Sequence, residues 1–143
     1  SLNAMVDEAD VVVVATAESS RVERTSDGVY TVTTFKVSDA VVGQTPGSFD
    51  VRSEGGSYTS GKFKVGETVA GAPIFPIGSE QLLFLDEGAA NSYAVVGFNQ
   101  GASAVYDAPR GKSVRLTGGK KDETLEEAKN RIRAANARNK SGD

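Results

Sequence analysis

The chain contains no cysteine, no histidine and no tryptophan among its 143 residues. Without cysteine and histidine, Ser-His-Asp and Cys-His catalytic sites, thiol redox centres and ordinary zinc sites are all excluded. Disulfide bonds are excluded too, so the fold must be held together by its apolar core alone. The remaining composition, with 38% hydrophobic and 24% charged residues, is typical of a single globular domain.

Long apolar segments are absent as well. The longest run, Val11 to Ala15, is far shorter than the roughly 20 residues of a membrane-spanning helix. No basic segment precedes this run, so it is not a signal peptide. The start at Ser1 fits two explanations, cleavage after a removed leader and an artificial beginning.

The net charge of −3 hides an uneven distribution of charge along the chain. Residues 1–109 carry 6 Lys and Arg against 14 Asp and Glu, whereas residues 110–143 carry 10 against 5. We therefore divide the chain into an acidic domain (1–109) and a basic segment (110–143). The basic segment has two interpretations. It docks on the acidic domain or is solvated, or it is an arm that binds an anionic partner, with Arg131 and Arg133 as candidate contacts.

The first third of the chain predicts a helix followed by a long hairpin. Leu2–Asp10 has the apolar spacing of a helix, with Ser1 as its cap. The segment from Val11 to about Arg24 begins with β-branched residues, as a strand buried on both faces does. Asp27-Gly28 favours a tight turn into a return strand over Val29–Val42.

Shorter strands are predicted at residues 49–52, 63–65, 81–85, 93–98, 102–107 and 113–116. The Gly/Ser-rich stretch Glu54–Gly61 is predicted to be a loop. Gly71–Gly78 contains two prolines, which exclude it from a sheet interior. We therefore expect a tucked loop whose apolar residues plug one end of the core. Ser113–Leu116 is predicted as an edge strand whose unpaired side could mediate a dimer.

These elements predict a mostly-β fold. We expect a small antiparallel, OB-like barrel of five to seven strands, with a short N-terminal helix and a C-terminal helix. A slip in alternation at Thr33-Thr34 predicts a β-bulge, and bent strands favour a barrel over a sandwich. The C-terminal helix has only a thin apolar stripe, so we expect shallow docking, with Asp122 or Thr124 as its cap. That stripe consists of Leu125, Ala128, Ile132 and Ala135.

The segment Gly56–Lys62 has the spacing of a phosphate-binding loop. Such a loop requires a Ser or Thr after the lysine and then a helix, whereas Phe63 follows here and the next residues alternate like a strand. We therefore interpret it as a hairpin loop. Tyr58 and Lys62 are candidate partner-binding residues, with Tyr58 either an anchor of the loop or a ligand contact.

No catalytic, cofactor-binding or metal-binding residue is assigned. The adjacent carboxylates of Asp86-Glu87 and Asp122-Glu123 lack the spacing of a calcium loop, and a turn and a helix cap explain them. A serine nucleophile is not indicated, because neither a Gly-x-Ser-x-Gly elbow nor the companion motifs of a Ser-x-x-Lys site occur. Nucleic acid is not expected as a partner, since the acidic domain repels phosphate.

Several segments taken together resemble a known group of proteins. They are Ala9–Thr16, Phe35–Gly43, Gly55-Gly56, Gly71–Gly78 leading into Leu82–Leu85, and Tyr93–Gly97 with Gly101 beyond. Their order resembles that of uncharacterised bacterial exported domains, which usually follow a signal peptide or lipoprotein leader. It is also similar to the netrin-like fold of tissue metalloprotease inhibitors, an oligonucleotide-binding-type barrel with flanking helices. The resemblance covers roughly residues 2–107 and implies this barrel and an exported location.

Metalloprotease inhibitors of that fold place an N-terminal cysteine on the zinc of the enzyme, and this chain has none. The sequence instead favours a non-enzymatic, exported binding module. Its partner would be a protein or an anionic polymer of the cell envelope, bound through Ser53–Gly61 or the basic segment. The alternatives are a structural accessory domain of a larger exported protein, a protease-inhibitor-like domain acting through another surface, and a hydrolase. The hydrolase needs two carboxylates about 5–10 Å apart in a cleft.

Overall fold

The computed structural model describes residues 1–60, 62–67, 72–88, 92–119 and 121–141. The chain is mostly β, as predicted, with one helix near each end. The elements are α1 (Leu2–Glu8), β1 (Val11–Thr25), β2 (Gly28–Val42), β3 (Ser48–Glu54), β4 (Gly56–Ser60), β5 (Phe63–Glu67), β6 (Glu80–Glu87), β7 (Ser92–Val95), β8 (Ala102–Ala108), β9 (Gly111–Val114), β10 (Glu123–Thr124) and α2 (Leu125–Ser141). Neither helix is long and apolar enough to cross a membrane within the part of the chain that the structure describes.

Strands β1 and β2 form the predicted long hairpin around Asp27-Gly28. The register shifts at three places, and at the one nearest the predicted bulge Ala17 pairs with Phe35 and Ser19 pairs with Thr34, which leaves Glu18 as the extra residue. The bulge therefore lies on β1, opposite the position predicted for it on β2. The pairing of β2 with β3 continues without a break at this point.

Five strands form a partial ring. The pairings run β1–β2, β2–β3, β3–β7, β7–β6 and β6–β1, and β8, β9 and β10 extend the sheet beyond β6. All of these pairings are antiparallel except β3–β7, which is parallel and consists of Asp50↔Ser92 and Val51↔Tyr93. The sheet is thus mixed rather than purely antiparallel, and the ring closes over a short stretch only.

Strands β1 and β6 are buried on both faces, which explains their nearly continuous apolar sequences. One face points into the ring and meets Phe35, Val51 and Phe75. The other face packs against the helices, and Ile132 and Met5 belong to this second cluster. The molecule therefore has two apolar cores that share the same two strands.

Helix α2 is docked over its whole apolar stripe, and the expectation of shallow docking is wrong. Ala128, Ile132 and Ala135 are fully buried, and Leu125 is 8% exposed. The stripe is thin because two of its members are alanines, whose small side chains let the helix approach the sheet. Of the two predicted caps, Thr124 is the one found, since its Oγ1 accepts a hydrogen bond from the Glu127 N–H.

Two other local predictions are corrected. The predicted loop Glu54–Gly61 contains strand β4, which pairs with β5 in a separate two-stranded sheet, while Gly61 lies outside the described residues. The sequence pattern does not predict this strand, because its glycine and serine residues have little β propensity. The edge predicted at Ser113–Leu116 is covered at Ser113 and Val114, because β9 lies between β8 and β10.

Candidate binding site

Residues 72–77 are here called the strap, and the first four of them line a cleft together with residues of β1, β2 and β3. Phe75 is 8% exposed and packs edge-on against Phe35, with the ring centroids 5.1 Å apart. Its neighbours point outwards, since Ile74 is 85% exposed and Ile77 is 57% exposed. The prediction that this segment plugs the core is therefore right for Phe75 and wrong for both isoleucines. Gly71, which was included in that prediction, lies outside the described residues.

The strap is attached mainly by its phenylalanine. Pro73 and Pro76 carry no N–H group and cannot join a sheet ladder. Beyond Pro76, the Gly78 N–H donates to the Ala17 carbonyl and the Ser79 N–H donates to the Pro76 carbonyl. No backbone hydrogen bond joins residues 72–75 to another described residue. The strap thus presents two isoleucines on a segment that prolines stiffen and one aromatic ring anchors.

Beneath the strap lies a cleft of about 390 Å³, the mouth of the ring, whose polar lining is mostly hydroxyl groups. These groups belong to Ser20, Thr31, Thr33, Ser53 and Ser57. Thr33 is 2% exposed and Ser53 is 8% exposed, and neither hydroxyl is hydrogen-bonded within the described part of the chain. Thr31 differs, because its Oγ1 donates to the Gly55 carbonyl at 2.8 Å. The interior of the ring therefore changes from apolar to polar towards this end.

A second pocket, here called the seam pocket, lies where β3 and β7 part. Pairing of these strands ends at Val51↔Tyr93, and the pocket of about 160 Å³ follows. Its lining comes from β3 (Arg52–Glu54), from β7 (Ala94-Val95), and from Pro73 and Phe98. Because Pro73 also lines the mouth, the seam pocket and the mouth are adjacent to each other at the strap.

Two residues of the seam pocket are unusual. The Nε atom of Arg52 is buried and has no hydrogen-bond acceptor among the residues that the structure describes, while its guanidinium carbon lies 3.7 Å from the centroid of the Tyr30 ring. Phe98 is 41% exposed and has a φ of 71°, a left-handed conformation that costs a non-glycine residue free energy. The seam pocket therefore contains both an unsatisfied hydrogen-bond donor and a strained backbone.

Two carboxylate side chains line one cleft outside the strap. A third cleft of about 760 Å³ is lined by Asp50 and Glu87 among others. Asp50 accepts hydrogen bonds from Arg21 at 3.2 Å and from the Thr34 hydroxyl at 2.7 Å. Burial, followed by the nearby charges of Asp10 and Glu8, raises the pKa of Asp86, which does not line that cleft. No group of three possible metal ligands occurs among the residues that the structure describes.

The residues predicted from sequence to bind a partner lie on two separate elements. Tyr58 is in β4, paired with Val65, and its side chain lies outside the described part of the structure. Lys62 is exposed in the turn before β5. On α2, Arg131 forms an ion pair with Glu123, and Arg133 lies 3.8 Å from Asp39.

Sequence reasoning missed the side chains that form the strap surface and the seam pocket. The two prolines around Ile74 and Phe75 were a signal for an irregular segment, but nothing in the pattern showed which apolar residue points inwards. Arg52 alternates like any residue of a half-buried strand, and the strand predicted to reach Phe98 ends at Val95. Neither residue carried a signal of its own.

Comparison with known proteins adds no further assignment. No family model matches the chain, and no match was found among curated proteins or among solved structures. The resemblance to exported, netrin-like domains therefore stays a prediction, and the candidate site rests on the geometry of the chain itself.

Proposed function

We propose that this chain is a non-enzymatic binding module that engages a protein partner through the strap. The observation that carries the proposal is the exposure of Ile74 and Ile77 on a segment anchored in the core by Phe75. Exposed apolar side chains that are held in place, rather than scattered singly, are typical of interaction sites.

The strap suits binding on energetic grounds. Burying an isoleucine side chain stabilises by about 1.5–3 kcal/mol, so the two exposed isoleucines offer roughly twice that to a complex. Pro73 and Pro76 restrict the backbone before any partner arrives, which lowers the entropy lost on binding. A protein surface with an apolar groove is the partner that this shape fits.

Export and the OB-like architecture belong to the same proposal. The partial ring of five strands supports an oligonucleotide-binding-type barrel, a partly open fold that binds its ligands through loops and one exposed sheet face. The resemblance of the sequence to exported domains supports a location outside the cytoplasm. The acidic domain argues against a nucleic acid as the ligand.

The contacts of α2 favour a docked helix over a free basic arm. Lys129, Arg131 and Arg133 all form ion pairs with acidic residues of the chain. Their positive charge is therefore partly satisfied within the molecule, and an anionic polymer would compete with these pairs. A protein partner at the strap accounts for the observations better than an anionic polymer at the helix.

The test is a capture experiment from the envelope and secreted fractions of the source organism. The wild-type chain, the double variant Ile74→Ser/Ile77→Ser and the control variant Tyr106→Ser are immobilised side by side. Tyr106 is 39% exposed on β8 and serves as a matched surface change outside the strap. We expect a protein retained by the wild type and by the control, and lost from the strap variant. Equal retention on all three surfaces, or none on any, contradicts the proposal.

A further inference from the structure

We infer that the seam pocket binds an extended segment of the partner protein, which adds as a strand to the free edge of β3. The inference rests on the proposed function for the nature of the partner. On one side, residues Arg52–Glu54 pair with β2. On the other side, β7 pairs only with Asp50 and Val51, so the following residues of β3 have no strand partner within the described part of the chain. Such an edge is a template for strand addition.

The size and lining of the seam pocket define what the added strand must carry. Its volume of about 160 Å³ is close to that of an engineered cavity of about 150 Å³ that accommodates benzene. Ala94, Val95, Pro73 and Phe98 provide an apolar lining. One aliphatic or small aromatic side chain of the partner fits, while its neighbours in the strand point away from the pocket.

Arg52 supplies a hydrogen-bond donor at the same place. Its buried Nε–H lacks an acceptor within the described part of the chain, and its guanidinium carbon lies over the Tyr30 ring. A buried donor without an acceptor destabilises the free protein and is satisfied when an acceptor arrives. A main-chain carbonyl suits this position better than a carboxylate does, because Glu54 lines the same pocket.

Phe98 gives an independent argument. An exposed aromatic residue held in a left-handed conformation costs stability, and such strain is characteristic of binding sites. Asparagine tolerates this conformation. The variant Phe98→Asn removes the aromatic side chain and relieves the backbone strain, and its melting temperature shows whether a loss of binding is separate from a loss of structure.

The experiment selects peptides from a phage-displayed library of random heptapeptides on the immobilised wild-type chain. We expect the selected sequences to share an aliphatic residue flanked by residues with strand propensity. A synthetic copy of one such peptide, followed by fluorescence anisotropy, is expected to bind Phe98→Asn and Arg52→Gln at least tenfold more weakly than the wild type. Tyr106→Ser is expected to bind within twofold of the wild type, and Phe98→Asn is expected to melt no lower than the wild type.

Three outcomes overturn the inference. The first is a selection that enriches peptides no better on the immobilised chain than on a blank surface. The second is a peptide that binds Phe98→Asn as well as it binds the wild type. The third is a peptide whose binding survives N-methylation of alternate backbone amides. The strap variant Ile74→Ser/Ile77→Ser is measured in parallel. Peptide binding that persists in this variant, together with capture of the partner protein that is equal for this variant and the wild type, refutes the role of the strap but leaves the seam pocket, so the two failures are distinguishable.

Discussion

At the scale of single residues, Gly101 allows β6 to change partners between β7 and β8. The Gly101 carbonyl accepts a hydrogen bond from the Phe84 N–H at 2.7 Å, and its own N–H donates to the Val96 carbonyl at 2.9 Å. A Cβ atom added to Gly101 would lie 2.9 Å from the Phe84 oxygen and 3.0 Å from the Val96 oxygen. Both oxygens belong to the backbone of the core, so neither can move aside cheaply.

We therefore expect Gly101→Ala to lower the free energy of unfolding by about 1–3 kcal/mol, as overpacking in a core does. The measurement is urea unfolding followed by circular dichroism. Gly47→Ala is the control, because nothing lies within 4 Å of a Cβ added there. This variant should change stability by less than about 0.5 kcal/mol. Equal changes in the free energy of unfolding for the two variants would show that the backbone around Gly101 has room for a Cβ atom.

At the scale of elements, the N-terminus of α2 is fixed by a reciprocal pair of hydrogen bonds. The Thr124 hydroxyl accepts from the Glu127 N–H at 3.1 Å, and the Glu127 carboxylate accepts from the Thr124 N–H at 3.0 Å. This capping box satisfies two backbone donors that the helix itself cannot. Because β10 ends at Thr124, the same residue joins the last strand to the helix.

Replacing this cap should weaken the docking of α2. We expect Thr124→Ala to lower the free energy of unfolding by about 1 kcal/mol and Thr124→Ser to retain most of the stability, since serine caps a helix as well as threonine does. Chemical denaturation of the three proteins at neutral pH provides the comparison. A serine variant as unstable as the alanine variant would indicate that the methyl group, rather than the hydroxyl, matters here.

The centre of α2 is tied to β2 by Lys129, whose side chain is 11% exposed and whose Nζ lies 2.7 Å from an oxygen of Asp39. The hydrogen bonds to Asp39 and then to Glu126 raise the pKa of Lys129 above its ordinary value of about 10.5. A cationic group whose pKa is higher in the folded state than in the unfolded state stabilises the fold fully at pH values below the pKa of the unfolded state. That stability is lost as the pH rises through the folded pKa.

We therefore expect the free energy of unfolding of the wild type to fall more steeply above a pH of about 10.5 than that of Lys129→Met. Unfolding is measured in urea at a series of pH values between neutral and strongly alkaline. Tyrosines also titrate in this range, so the comparison includes Lys36→Met, an exposed lysine on β2 that should follow the wild-type profile. Parallel profiles for all three proteins would show that Lys129 contributes no titrating interaction.

The sequence predicts the elements whose signal is local. The apolar run at Val11–Ala15, the Asp27-Gly28 turn and the cap at Thr124 each act within a few residues, and all three occur as predicted. The parallel pairing of β3 with β7 involves two residue pairs far apart in the chain. No periodicity records such a contact, and so the seam pocket beside it was not predictable either.

The candidate site is hard to predict from the sequence for the same reason, because its contacts are not local. Alternation along a strand tells which residues share a face, but the strap is not a strand. Whether Ile74 or Phe75 enters the core depends on the space that Phe35 and Phe49 leave inside the ring. The charge pattern, in contrast, allows two interpretations of the basic segment, and docking of its helix on the acidic domain is one of them.

At the scale of the whole molecule, the two apolar cores make the basic segment part of the fold. Val12, Val14, Leu82 and Phe84 point away from the interior of the ring, and in the folded chain α2 contributes to covering them. Without residues 110–143 this face of the sheet would lose part of its apolar cover, and the residues of α1 would be the remainder. The division of charge between an acidic domain and a basic segment therefore does not coincide with a division of the apolar core, because one cluster contains residues of both.

Ile132 tests this dependence, because it is fully buried in the cluster that α2 shares with the outer face of β1 and β6. We expect Ile132→Ala to lower the free energy of unfolding by about 2–5 kcal/mol, the range for removing a buried isoleucine side chain. Asn130→Ala, on the exposed side of the helix, should leave stability unchanged or raise it slightly, since alanine is the better helix former. Unfolding is followed by far-ultraviolet circular dichroism and by tyrosine fluorescence, and the two transitions should coincide if both cores melt together. A separate early loss of helix signal in Ile132→Ala would show instead that α2 unfolds alone and that the ring of strands is stable without it.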